Sequence, residues 1–375
     1  MYVLELGGED DAFAACESRH AATGVDRIAP GVAVADVIAP ERIRGLAYTH
    51  AASRLLGHTD ASLESARTLL EAASIDTDRE GSVAVRATDV HGSSDISTTR
   101  AERELGSVLV DRGFSVDLEE PDHVLRAVFS VGEFESDGVD DWGDLAEPAD
   151  GDDPSGDGPN EGESGGAGEP VSVCALGWLE AESVRDFGSR APTDKPFFQP
   201  GSMDPLLARA VANIAGAQRG RTILDPMCGT GGVLVEAGLV GADVIGTDAQ
   251  RKMVAGARTN LTHFLDRQEP SPTGVTRGSW HVARGDGTRL PLVDGAVDAV
   301  VFDAPYGRQS KIETHGLEEL VAGALAEARR VATRAVVVAD RSWADAAQRA
   351  GWELEAAFER RVHRSLTRYV LVLSA

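Results

Sequence analysis

The spacing of apolar and polar residues changes character near residue 200. Ahead of that point, short alternating runs mix irregularly with short helical runs. Tyr2 to Leu6 reads as a strand, Asp10 to Ala22 as a helix and Gly31 to Ile38 as a second strand. Ser62 to Ala73 sets Leu63, Ala66, Leu69 and Leu70 on one helical face. Ser82 to Ala87 reads as a strand. Thr98 to Asp111 reads as a helix, with Ser97 or Thr98 as its N-cap and Gly113 as its stop. His123 to Phe129 and Val171 to Trp178 alternate and predict two more strands. The N-terminal half is therefore expected to be α+β.

Beyond residue 200 helices and strands alternate regularly. Helices are expected at 204–215, 231–239, after the 243–246 strand to about 264, at 316–331 and at 342–350. Strands are expected at 221–224, 243–246, 281–283, 297–302 and 335–339, with a closing hairpin of 353–361 and 366–373. Such alternation predicts a mainly parallel, doubly wound sheet. Ligands of these sheets bind beyond the carboxyl ends of the strands, at the topological switch point. A chain of 375 residues with 42% hydrophobic content supports two or three domains.

The stretch from Glu133 to Pro170 holds 14 acidic residues and no lysine or arginine. It cannot bury enough apolar surface to offset chain entropy, so it reads as a solvated insert in the turn between the two flanking strands. Charge changes the picture less than its size suggests. The chain has 36 basic and 61 acidic residues, a net charge of -25, and removing the insert's 14 carboxylates leaves -11. Only Lys195, Lys252 and Lys311 are lysines. Acid excess with little lysine fits a salt-rich cytoplasm, where screening over about 3 Å at 1 M makes net charge report the solvent more than the partner. No apolar run approaches the roughly 18 residues of a membrane span, and the start of the chain lacks a signal-peptide pattern. A cytoplasmic, halophilic, monomeric protein with no membrane and no obligate protein partner is expected. Cys16, Cys174 and Cys228 form no CxxC pair, and nine histidines show no HxH or HxxxH spacing, so no metal site is expected.

Four strand ends carry the candidate chemistry. The first runs Ile223-Leu224-Asp225-Pro226-Met227-Cys228-Gly229-Thr230-Gly231-Gly232, an apolar strand ending in an acid and a glycine-rich turn that opens a helix. Glycine permits a tight turn and close backbone approach to a ligand. The spacing is neither GxGxxG nor a P-loop, so a phosphate cradle is not supported. The second ends in Asp248, about 20 residues on, where an acid can accept both ribose hydroxyls of a nucleoside. Third, Asp286 and Gly287 follow the next strand, where a carboxylate can meet an adenine amino group. Their order suits an adenosine-containing cofactor, held by Ser202, Asp225, Met227, Cys228, Gly229, Gly231, Asp248, Asp286 and Gly287. The fourth is Val300-Val301-Phe302-Asp303-Ala304-Pro305-Tyr306-Gly307.

This last segment resembles the [D/N]PPY motif of class I S-adenosylmethionine-dependent methyltransferases that act on exocyclic amines. The resemblance implies that Asp303 and the Ala304 carbonyl accept hydrogen bonds from the target amine. It also implies that Pro305 stiffens the turn and that Tyr306 stacks on the base. The family has proline where this chain has Ala304, so Ala304→Pro is expected to be tolerated. Pro196 to Pro205, the DPMCGTGG turn and the His363 to Arg368 segment extend the resemblance to the archaeal tRNA guanosine-10 N2-methyltransferases. That family implies a Rossmann-like class I methyltransferase sheet preceded by α+β ferredoxin-like and THUMP domains. The boundaries implied are 1–45 ferredoxin-like, 46–181 THUMP with the insert at about 134–170, and 182–375 methyltransferase. The implied reaction is S-adenosylmethionine-dependent methylation of guanosine 10 in tRNA to N2-methyl- and N2,N2-dimethylguanosine. Another tRNA position or rRNA is the alternative target. A DNA adenine methyltransferase would need a DNA-reading domain, and a protein-glutamine methyltransferase has no use for the N-terminal half. A tRNA-binding protein without catalysis has no use for four ordered acids. Arg100, Arg103, Arg364 and Arg368 are candidates for RNA phosphates, though each also reads as a solvated surface arginine.

Overall fold

Two large sheets carry the chain. In the computed structural model, residues 1–75, 80–134, 169–269, 271–305, 316–363 and 366–375 are described. Most of the acidic insert lies outside them.

The first unit contains β1 (Tyr2–Leu6), α1 (Asp11–Ser18), β2 (Ala22–Thr23), β3 (Asp26–Ala29), β4 (Val32–Ala35), β5 (Val37–Ile38) and α2 (Pro40–Ile43). It continues with β6 (Thr49–Thr59), α3 (Leu63–Ala72), β7 (Ser82–Asp89), α4 (Thr98–Asp111), β8 (Ser115–Val116), β9 (His123–Phe134) and β10 (Glu169–Glu182). One sheet runs β3-β4-β1-β6-β10-β9-β7-β8, and β2 pairs with β5 in a separate ribbon. The first expected helix stops at Ser18 because the chain turns at once into β2. The strand expected over 31–38 divides: β4 joins β1, while β5 leaves to pair with β2. β6 was not expected at all. Ser62 and Ser97 cap α3 and α4 by accepting from the backbone N–H groups of Ser65 and Arg100. The two helices bury Leu70, Leu105 and Leu109 on Val83, Val85, Leu125 and Trp178 of the sheet.

The second unit takes Arg44–Tyr48 together with everything from Ser183. Its elements are α5 (Pro205–Ile214), β11 (Thr222–Asp225), α6 (Gly232–Leu239), β12 (Asp243–Asp248), α7 (Arg251–Leu265) and β13 (Trp280–Arg284). Next come β14 (Ala299–Asp303), α8 (Leu317–Val331), β15 (Arg334–Ala339), α9 (Ala344–Arg349), β16 (Glu353–His363) and β17 (Leu366–Ser374). The sheet runs β13-β12-β11-β14-β15-β17-β16. The first five strands are parallel, and β17 enters antiparallel between β15 and β16. The doubly wound sheet expected from the sequence is present. Strand order reverses between β11 and β14, which makes their carboxyl ends the switch point. Asp204 caps α5, accepting from Leu206 N–H at 2.8 Å, with Pro205 at the first helical position. On one face, Val321, Leu325 and Ala328 of α8 pack with Val300 and Phe302 of β14 and with Trp352.

A charged knot sits inside this unit. Glu236 of α6 is 1% exposed and accepts from Arg190 Nε at 2.6 Å and Arg209 Nη2 at 2.8 Å. Arg190 also pairs with Asp186 at 2.6 Å. The ring of Phe187 lies against the guanidinium groups of Arg185, Arg190 and Arg209. Arg209 further donates to the Gly45 carbonyl at 3.2 Å, which ties Arg44–Tyr48 into the unit.

Candidate active site

Each strand that flanks the switch point ends in an acid. β11 ends in Asp225, which is 3% exposed and accepts from Met227 N–H at 3.0 Å. The turn that follows passes through Gly229 at φ +50° and Gly231 at φ +77°, a left-handed path that suits glycine. β12 ends in Asp248. One of its oxygens accepts from Gly229 N–H at 3.0 Å and the other from Gln250 N–H at 2.8 Å. The second acid thus holds the turn opened by the first. Behind this turn, a Cβ on Gly246 would sit 2.5 Å from Leu234 Cδ1 and 3.1 Å from Cys228 Sγ, so a bare backbone is required there.

These ends surround a cleft of about 950 Å³. Of the sequence candidates, Ser202, Asp225, Met227, Cys228, Gly229, Asp248, Asp286, Gly287, Asp303, Ala304 and Pro305 line it. Gly231 does not; it opens α6 against Ala257, whose Cβ lies 3.3 Å from where its own would be. Tyr306 and Arg364 lie outside the described residues. Arg100 and Arg103 are exposed on α4, and Arg100 pairs with Glu104 at 2.6 Å. Arg368 is not a solvated surface arginine. It is 4% exposed, and its Nη2 stands 3.4 Å from Asp303 Oδ2.

Burial raises the Asp225 carboxyl well above the usual carboxylate range, and the charges of Asp248 and Asp303 raise it further against the opposing Met227 hydrogen bond. Burial also raises Asp248, opposed by its two backbone donors. The Cys228 thiol is pushed up by burial and by Asp225 and Asp248, so it stays protonated and serves as a small wall residue. At the Asp225–Asp248 end of the cleft two buried carboxylates are disfavoured in their charged form, and a cationic group placed there relieves that cost.

Sequence reasoning missed Asn260 of α7, which is fully buried. Its side chain exchanges two hydrogen bonds with the Phe197 backbone, both 2.9 Å, and donates to the Thr230 carbonyl at 2.8 Å. It clamps the segment leading to Gln199–Met203 onto the glycine turn, and both border the cleft. Only an apolar helical face that admits an asparagine hinted at it.

Ala304 also behaves differently from the expectation. It is 2% exposed, and its N–H donates to the Val338 carbonyl at 2.7 Å. Proline has no N–H to give. Ala304→Pro should therefore cost about 1–3 kcal/mol, the scale for a buried acceptor left unpaired. Thermal unfolding of the full chain reads this directly, and an unchanged midpoint would restore the original expectation.

Residues 192–370 match the family described as UPF0020, RMKL-like, methyltransferase domain. A tRNA (guanine(10)-N2)-dimethyltransferase of Methanothermobacter thermautotrophicus is 34% identical over 266 residues, 70% of this chain and 62% of that protein. One of Pyrococcus abyssi is 33% identical over 196 residues, 51% of this chain and 55% of that protein. These matches thus span between half and two thirds of the length of the relatives. Among solved structures, TrmN from Thermus thermophilus aligns at TM-score 0.46 and 21% identity, covering 100% of this chain and 99% of that one.

Proposed function

We propose that the chain methylates the N2 amine of guanosine 10 in tRNA, a reading that starts from the match of residues 192–370 to the UPF0020, RMKL-like methyltransferase domain family. N2-methyl- and N2,N2-dimethylguanosine are the products. The observation that carries the reading is the convergence of Asp225, Asp248, Asp286 and Asp303 on one cleft beside Ala304-Pro305. The similarity to tRNA (guanine(10)-N2)-dimethyltransferases supports the choice of amine.

S-adenosylmethionine supplies the methyl group. Its ammonium and sulfonium charges suit a cleft walled by buried carboxylates. Asp225 is assigned to the ammonium, Asp248 to the ribose hydroxyls and Asp286 to the adenine edge. Asp303 and the Ala304 carbonyl accept from the guanine amine. A ring-conjugated amine is a poor nucleophile, and two fixed acceptors orient its nitrogen and offset the positive charge that grows there. Residues 46–181 are assigned to tRNA docking as a THUMP-like domain, with Arg100 and Arg103 as phosphate contacts.

Asp225 makes cofactor binding depend on pH. Its carboxyl is raised in the free protein, so below that raised value it holds a proton that the ammonium must displace. Affinity for S-adenosylmethionine should fall as pH drops through this range, by up to about tenfold per pH unit. Asp225→Asn should bind weakly with a flatter pH profile. Calorimetry from pH 5 to 8 checks both, and a wild-type affinity that rises toward acid would remove Asp225 from the ammonium.

The reaction itself is tested on an unmodified tRNA transcript. Nuclease digestion and mass spectrometry should find both methylated guanosines at position 10, and a transcript with adenosine at position 10 should stay unmodified. Methylation elsewhere, with position 10 untouched, would overturn the assignment.

A further inference from the structure

We propose that Arg368 is a positioning residue for Asp303, fixing the place of its carboxylate and keeping it ionised at the end of β14. The inference rests on the function proposed above. Arg368 comes from β17, which is not a neighbour of β14; β15 lies between them. Its side chain reaches past β15 to bring Nη2 within 3.4 Å of Asp303 Oδ2 and 3.5 Å of the Gly201 carbonyl. Gly201 and Asp303 both line the cleft. One guanidinium thus spans the acid that meets the amine and the loop on the cleft's other wall.

The electrostatics give this contact a direction. A guanidinium remains charged at every working pH, and burying it is costly without an anion nearby. Arg368 is 5% exposed at its side chain against 22% for Asp303, so the cation is the buried anchor and the acid its outward partner. Facing Asp303 from β11 is Asp225, whose carboxyl is raised in part by the charge of Asp303; like charges oppose each other's ionisation, and the Arg368 guanidinium works against that. Opposite Arg368 in the β16–β17 register stands Arg360, but its guanidinium lies 4.8 Å over the Tyr48 ring. Asp340, just past β15, pairs with Arg341 at 3.7 Å. A carboxylate has acceptor sites enough to serve an arginine and an amine together. A protonated Asp303 would lose the charge that offsets the positive nitrogen.

Arg368→Gln removes the charge and keeps hydrogen-bonding atoms. In the full chain it should reduce turnover by about 10- to 100-fold, the scale of a misplacement of roughly 1 Å, with S-adenosylmethionine affinity little changed. The Asp303 carboxyl, followed by 13C NMR and identified by its loss in Asp303→Asn, should titrate at least about one pH unit higher than in wild type. The acidic limb of turnover should move up with it. Arg368→Lys should hold the wild-type titration but recover only part of the turnover. An unmoved titration in Arg368→Gln overturns the proposal. If that variant does not fold, Arg368→Lys decides: reduced turnover with cofactor affinity intact supports the role, and wild-type turnover overturns it. The titration needs no RNA, so its failure counts against this inference alone. Failure of the wild-type protein to methylate tRNA counts against the reading beneath it.

Discussion

Asp303→Ala should cut methyl transfer by roughly 100- to 1000-fold, the range for removing one preorganised polar group from a reacting centre. Cofactor binding should survive. Asp225 is raised partly by the charge of Asp303, so losing that charge eases ionisation of Asp225 and favours the cofactor's ammonium. The same substitution removes the carboxylate 3.4 Å from buried Arg368 and should lower the unfolding temperature. Asp303→Asn separates the two effects, because an amide oxygen still accepts from the amine while the charge is gone. Single-turnover assays on unmodified tRNA, run beside calorimetry, rank the variants. If Asp303→Ala kept its turnover and lost the cofactor instead, the acid would belong to cofactor binding and the amine would need another acceptor.

The largest loss of stability is expected at Glu236. Its carboxylate meets two buried arginines, Arg190 at 2.6 Å and Arg209 at 2.8 Å. Glu236→Ala leaves Arg209, 1% exposed, without that anion, while Arg190 keeps Asp186. Removing one member of a buried pair costs about 3–5 kcal/mol, because the remaining charge cannot return to water. Glu236→Gln should cost less, since it still accepts from one arginine. Denaturant unfolding checks this at the transition that S-adenosylmethionine shifts, which identifies the methyltransferase unit. A loss under about 1 kcal/mol would mean that water reaches the arginines after the substitution.

How far the fold could be read from the chain differs between its halves. β11, β12 and β14 are short apolar runs that end in acids, and helices of clear period separate them, so residues 222–303 are legible almost strand by strand. β6 is different. Thr49–Thr59 reads THAASRLLGHT, with small residues on successive positions and no alternation, yet it lies between β1 and β10 inside its sheet. Its exposed positions, His50, Arg54 and His58, fall four apart rather than alternating, and register shifts against β1 and β10 break the period. The cleft acids were legible because each follows a strand. Arg368 and Asn260 were not, because their meaning depends on contacts across β15 and between α7 and the 197–203 segment. Local spacing carries no trace of such meetings. Ala304 shows the opposite case: the motif was legible, but the hydrogen bond of its N–H to Val338 was not.

The late insertion of β17 into the sheet has a consequence for biosynthesis. Asp225, Asp248 and Asp303 leave the ribosome well before Arg368, so a nascent chain holds the three acids without the cation that meets Asp303 in the folded domain. The parallel strands can pair as they emerge, but β16 has no strand to pair with until β17 follows it and inserts between it and β15. Until then Asp303 lacks its contact with Arg368, and the proposed amine-binding acid is not held in its final place.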